Sequence, residues 1–291
     1  RYLSIGHSMK QAPPSLADAC AAPYPAVSFR SASGIGLQPV AGNPQHKTVY
    51  WETMDAIDDP VRIATLAAQA ASQGARVLVV RNTVPAAVAT LIALEQLILA
   101  QGGDWLFKVS GASTVHHSRY SRQDRPLLDQ AVEAQLGKTR PDRKGGVIIG
   151  TQTLEQSLDI DADLLITDLC PMDVLLQRGG RLHRHTRPEA ERPEGYRQPR
   201  AWVLTPAGHD LTPMLKRSRH GLGRFHDGGG VYPDLRIVEA TKRLIQAQPS
   251  RQIPADNRML VEYATHTEAL QALEKELGAD WQTLGQAIEG D

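Results

Sequence analysis

The chain has 291 residues, 41% hydrophobic and 5% aromatic, and its 32 basic and 32 acidic side chains cancel to a formal net charge of zero. That length and apolar content suffice for one large or two small domains and exclude a disordered polyelectrolyte. A neutral total provides no global field toward nucleic acid or membrane, so any anion site has to be built from local charge. The opening residues, RYLSIGHSMK, lack an initiator Met and a signal pattern and read as an excised or processed piece. No stretch approaches eighteen consecutive apolar residues, so no bilayer span is expected. Cys20 and Cys170 stand apart without ligand spacing, which predicts no zinc site and fits a reducing cytoplasm.

Up to about Pro60 the sequence is rich in Ala, Pro, Ser and Gly, with two strand-like runs, AVSFRSAS and HKTVYWET. A regular alternation follows. DPVRIATLAAQAASQG has an Asp-Pro helix entry and a Gly74 stop, and ARVLVVRNT reads as a short buried strand. VPAAVATLIALEQLILAQGG predicts a long helix closed by two glycines, GASTVHHSRY a strand with its loop, and SRQDRPLLDQAVEAQLG the next helix. GGVIIGT, ADLLITD and PRAWVLT are further strands, and after Thr205 a Gly-rich basic connector leads into DLRIVEATKRLIQAQ and NRMLVEYATHTEALQALEKELG, both helical in pattern. Short apolar strands alternating with helices predict an α/β fold, a parallel sheet with helices on both faces and a partly helical C-terminal extension. Ligands of such sheets collect at the carboxyl ends of the strands. There lie Asn82 and Thr83, the His116–Arg119 run, Thr151 and the residues after Asp168.

The segment 146–185, GVIIGTQTLEQSLDIDADLLITDLCPMDVLLQRGGRLHRH, concentrates the chemistry. Thr151 follows a strand, where a hydroxyl and turn amides suit a phosphate oxygen. Asp159 and Asp161 suit accepting from a ribose hydroxyl or orienting an arginine. Arg181 and Arg184 lie three apart, a spacing that on a helical turn points both guanidinium forks to one face, matching the spread charge of a transferring phosphoryl group.

At these residues the chain resembles superfamily 2 helicases: GTQTLEQSLDID is similar to motif V and QRGGRLHRH to motif VI. The linking DLCPMD, together with VLVVRNTV and HHSRY, most resembles the helicase–nuclease of type I CRISPR interference. The resemblance covers roughly 48–205 well and its flanks loosely. It implies the second RecA-like motor domain, with 1–47 a lead-in from the first motor domain or an interdomain segment, and 206–291 a linker and partial helical region. It implies arginine fingers at Arg181 and Arg184, with Gln177 ordering the same site and Asp159 and Gly180 beside ATP. Thr151, Asn82, Thr83, His117, Ser118 and Arg119 would contact nucleic acid. ATP and Mg²⁺ are the implied cofactors, bound mainly by the first motor domain; single-stranded DNA, that domain and a CRISPR surveillance complex are the implied partners.

Neither a Walker A loop nor an Asp-Glu-x-His box is present. LGKTR at 136–140 lacks the required earlier glycine, which would fall at Val132 within a predicted helix. The His-Asp pairs at 209–210 and 226–227 lack the further ligands of a nuclease metal site. Two other functions fit the same motifs: a nucleic-acid-binding half-motor that never hydrolyses ATP, and a superfamily 2 helicase of RNA metabolism or repair, since the motifs alone do not choose DNA over RNA.

Overall fold

The computed structural model describes residues 14–31, 34–41, 46–139, 144–155, 158–223 and 230–289. A short helix, α1 (Leu16–Ala21), and a hairpin of β1 (Ala26–Ser31) and β2 (Gly34–Pro39) come first. The alternating part runs β3 (Lys47–Met54), α2 (Pro60–Ser72), β4 (Arg76–Val80) and α3 (Val84–Gln101). A small pair, β5 (Lys108–Val109) and β6 (Ala112–Ser113), precedes α4 (Arg125–Leu136), β7 (Gly146–Gly150), β8 (Leu164–Asp168), α5 (Met172–Gly179) and β9 (Arg200–Leu204). Then come α6 (Leu235–Ala247), β10 (Ser250–Ile253), α7 (Asn257–Thr265), α8 (Thr267–Leu277) and α9 (Ala279–Glu289).

The main sheet has the order β10-β3-β9-β8-β4-β7. β3, β9, β8, β4 and β7 are parallel and β10 is antiparallel at the edge. Strand side chains alternate between two buried faces, as a sheet covered on both sides requires. Val77, Val79, Ile149 and Ile166 pack with α2 and α3, whereas Leu78, Val80, Ile148 and Leu165 pack with α4, α5 and the C-terminal helices. This is the α/β sheet architecture expected from the sequence.

Local chemistry sets the element ends. The Asp59 carboxylate accepts from Arg62 N at 2.9 Å and Pro60 opens α2. Thr83 caps α3, its hydroxyl accepting from Ala86 N at 3.3 Å. α3 is long and apolar enough, by length and composition, to cross a bilayer, which counting uninterrupted apolar residues overlooks; here it lays Ala87, Thr90, Ala93 and Leu94 against the neighbouring elements.

Two expectations change. Only Ala112–Ser113 of the 111–120 run forms a strand, pairing with Lys108–Val109, while His116 makes a single bridge to Gly150 at the sheet edge. The helix expected over 257–278 is two: His266 leaves the helical conformation, closes α7 through its N–H to Glu262 O, and accepts from Glu268 N through Nδ1 to cap α8. The C-terminal helices join the core of the sheet. Leu235, Val238, Leu260, Ala264 and Trp281 share one hydrophobic core with Val49 and Trp51 of β3.

α5 packs so closely on β3 that a Cβ at Gly179 would stand 2.7 Å from the Trp51 ring, which is buried. Gly179→Ala should therefore cost about 1–3 kcal/mol by overpacking; a chemical-denaturation midpoint equal to that of the unsubstituted chain would contradict this packing.

Candidate functional site

Five parallel strands bring Asp168, Asn82 and the turn after Gly150 to one edge of the sheet. The fully buried Arg178, reaching back from the last turn of α5, fastens them together. Its Nε donates to Glu155 at 2.7 Å, Nη1 to the Thr167 hydroxyl at 2.7 Å and to Asp168 O at 3.1 Å. Nη2 donates to Asn82 Oδ1 at 3.0 Å and to the Tyr232 hydroxyl at 3.1 Å. All five guanidinium N–H groups are taken, the condition under which a buried arginine is tolerable. Burial pushes the Glu155 carboxyl above its ordinary value against the pull of Arg178. Beside it, Asp168 accepts from Arg81 Nε at 2.7 Å and Asn82 N at 2.8 Å.

α5 ends at Gly179, so Arg181 and Arg184 do not lie on a helical face. They sit in the turn beyond it, where Leu182 bridges Ala162 just before β8 starts. This corrects two expectations. The spacing of three does not act through a helix, and this turn lies toward the amino ends of the strands, not with the loops at their carboxyl ends. The physical reason is length: eight residues of helix cover about 12 Å and carry the chain back along β8. Lys47 Nζ holds the turn by donating to Gly179 O at 2.9 Å and to Leu182 O. Burial lowers its pKa to about 8.

Within this turn the arginines differ. Arg181 donates to Leu158 O and Glu155 O, both at 2.6 Å, while its buried Nε has no partner among the described residues. Burial first, then Arg184, lowers its pKa below the ordinary guanidinium value. Arg184 donates through Nε to Asp159 at 2.6 Å, and 42% of its side chain is exposed. That hydrogen bond holds the Asp159 carboxyl below its usual range. Asp161 is spent internally, paired with Arg187 and Arg192 and accepting from Arg184 N. Thus the sequence-predicted Arg181, Arg184, Asp159 and Gly180 come together. Gln177 does not join them: it lines a cavity of about 400 Å³ with Leu176, Asn257, Arg258 and Val261, on the α7 side. Its expected place beside the two arginines is corrected by the helix geometry, which turns position 177 toward α7.

At the opposite edge, the expected nucleic-acid residues divide. Asn82 is 1% exposed and its amide is consumed by Leu169 O and Arg178, so its side chain fastens the core and cannot reach a strand. Thr151 is 3% exposed with its N–H on His116 O, which likewise removes it from the surface. Thr83 spends its hydroxyl on the α3 cap. Ser118 and Arg119 are exposed, and His117 stacks on Tyr120 with ring centroids 4.5 Å apart. Sequence reasoning missed His116 as the anchor of this loop: buried, it contacts Thr153 and Asp129, each at 2.7 Å. It missed Tyr232 altogether, and no motif signals it.

The decoys resolve locally. Gly137 O and Lys138 O accept from Arg187, so that turn presents carbonyls, the reverse of a phosphate cradle; Arg140 lies outside the described residues. His209 Nδ1 meets the Thr205 hydroxyl at 2.6 Å, and the pair 226–227 also lies outside the described residues. Among the described residues no group of three His, Cys, Asp or Glu is set to hold a metal.

Residues 73–187, which include the motif V-like and motif VI-like segments, match the family described as CRISPR-associated nuclease/helicase Cas3, C-terminal. The chain is similar to the C-terminal region of Cas3 proteins. The Cas3 endonuclease/helicase of Thermus thermophilus is 35% identical over 172 residues, 58% of this chain and 17% of the relative. That of Escherichia coli is 30% identical over 230 residues, 77% of this chain and 23% of the relative. The chain thus spans about a fifth of the length of these curated Cas3 relatives. Among solved structures, T. fusca Cas3-ATP superposes with a TM-score of 0.67 at 25% identity, over 91% of this chain and 30% of that one. Cas3 likeness therefore extends beyond the motifs to the C-terminal helices.

Two predictions follow from the contrast between the arginines and from His183. Arg178→Ala should cost about 3–5 kcal/mol, because Glu155 and four other acceptors lose a buried partner, whereas Arg184→Ala should cost under about 1 kcal/mol; equal losses in urea denaturation would refute the assignment. Burial lowers the His183 pKa from 6.5 to about 4. The unfolded chain therefore takes up that proton first, and stability present above pH 6.5 is lost as pH falls toward 4. His183→Asn, which tolerates the left-handed backbone there (φ 45°), should remove up to roughly 3 kcal/mol of that acid loss; an unchanged slope of stability between pH 4 and 6.5 would exclude this origin.

Proposed function

We propose that this chain supplies the second motor half of an ATP-driven single-stranded DNA translocase of type I CRISPR interference. Arg181 and Arg184 serve as arginine fingers toward an ATP held mainly by a first RecA-like motor domain. The observation that carries this reading is the unequal saturation of the arginines. Among the described residues, Arg178, Arg187 and Arg192 are locked in buried networks, while Arg184 rests on one exposed carboxylate and Arg181 keeps an unpartnered Nε. An exposed ion pair is worth about 0–1 kcal/mol, so a polyphosphate competes readily for Arg184. Asp159 then orients the finger at rest and is free for the ribose once Arg184 leaves. Mg²⁺ is assigned to the first domain, since the carboxylates near the fingers are paired with arginines.

Ser118, Arg119 and the His117–Tyr120 stack form the exposed part of a DNA track at the other edge. Separation of the two sites is what a motor needs, because hydrolysis at one must be felt at the other. Residues 1–47 are the proposed lead-in from the first motor domain, 48–205 the motor half and 206–291 the linker and helical region. The working place is the cytoplasm, on DNA opened by a CRISPR surveillance complex.

Joined to its first motor domain, the protein should hydrolyse ATP in response to single-stranded DNA. Arg181→Ala and Arg184→Ala should each lower the rate about 10³–10⁵-fold, and this chain alone should show no turnover. Turnover that persists in both variants would sink the finger assignment. No hydrolysis by the joined protein would favour a nucleic-acid-binding half-motor, and stimulation by RNA alone would favour an RNA helicase.

A further inference from the structure

Arg178 draws four of its five acceptors from the strand ends and turns that carry the motor residues: Glu155, Thr167, Asp168 and Asn82. The fifth, the Tyr232 hydroxyl, comes from the C-terminal region. The backbone around Tyr232 is fixed as well. Tyr232 N donates to Gly221 O at 2.8 Å and Gly223 N donates to Tyr232 O at 3.0 Å. Gly221 in turn lies against the turn after β4, where a Cβ would stand 3.0 Å from Asn82 Cβ and 3.3 Å from Thr83 Cγ2. Arg219 and His220, just before it, reach Asp58 at 3.0 and 2.9 Å. Gln152 completes the junction: its amide donates to Asn82 O at 2.8 Å.

From this geometry we infer that Tyr232 is a positioning residue of the motor: it ties the C-terminal region to Arg178, and through Arg178 to α5 and the arginine turn. Only Gly179 and Gly180 separate Arg178 from Arg181, and the same guanidinium grips Glu155, whose carbonyl holds Arg181. A displacement of residues 219–223 and 230–232 therefore reaches the finger turn through one buried cation. Removing the phenol oxygen leaves a buried guanidinium N–H without an acceptor, which loosens α5 without opening a cavity in the core.

The inference rests on the motor reading for its consequence but not for its wiring, so two measurements separate them. In this chain, Tyr232→Phe should speed amide hydrogen exchange at least tenfold in residues 174–184 and leave α2 and β4 unchanged. Val231→Ala, an exposed neighbour, should change neither. In the protein joined to its first motor domain, Tyr232→Phe should lower DNA-stimulated kcat about tenfold with KM for ATP within twofold. Unchanged exchange in 174–184, or exchange rising equally along the whole chain, would overturn the wiring. A shift in KM with kcat preserved would overturn the positioning role. If the joined unsubstituted protein hydrolyses no ATP, the motor reading fails and the exchange result alone decides whether Tyr232 controls α5.

Discussion

A guanidinium removed from water has to find an acceptor for every N–H, and Arg178 finds all five inside the protein. That requirement constrains more of this structure than any other single contact. It fixes the ends of β4 and β8, the turn after β7, the last turn of α5 and a tyrosine from the C-terminal region relative to one another. Apolar packing could hold the same elements at similar distance, but it is indifferent to small slides. A fully coordinated cation is not, because each displacement leaves a buried donor unpaired.

The second organising fact is the separation of sites along the strands. Loops at the carboxyl ends present Ser118 and Arg119 to solvent, while α5 returns the chain so that Arg181 and Arg184 stand toward the amino ends. Thr151 donates its N–H to the His116 carbonyl, whereas Asp161 donates its N–H to the Leu136 carbonyl. Motif-like residues close in sequence are thus spread over the height of the sheet. Arg178 and Glu155 lie between the two groups, which is where a coupling element has to be.

Much was legible beforehand because it depends on local rules. Alternating apolar strands and helices follow from periodicity, and Asp59 and Gly102 mark element ends through capping and turn chemistry. The arginine-rich turn was legible as a resemblance. What could not be read was the employment of each polar side chain. Asn82 and Thr151 look like surface contacts in sequence, since both follow buried strands; only the crossing of β4, β7 and β8 shows that their surroundings close over them. Gln177 could have faced either side of a short helix, and packing against α7 decides it. His266 breaks a pattern whose apolar periodicity continues across it, because its ring caps the following helix.

The sequence by itself determined the α/β alternation, the ends of elements marked by Asp59 and Gly102, and the clustering of arginines after β8, because these rest on spacing and on residue type. Tertiary structure alone decided which arginines are spent and which remain accessible. It also recruited Tyr232, more than fifty residues beyond Arg178, into the same network. The physical reason is that hydrogen-bond saturation is a property of a place in the fold: an arginine's role depends on how many acceptors surround it, and those acceptors come from segments that the chain brings together only when folded.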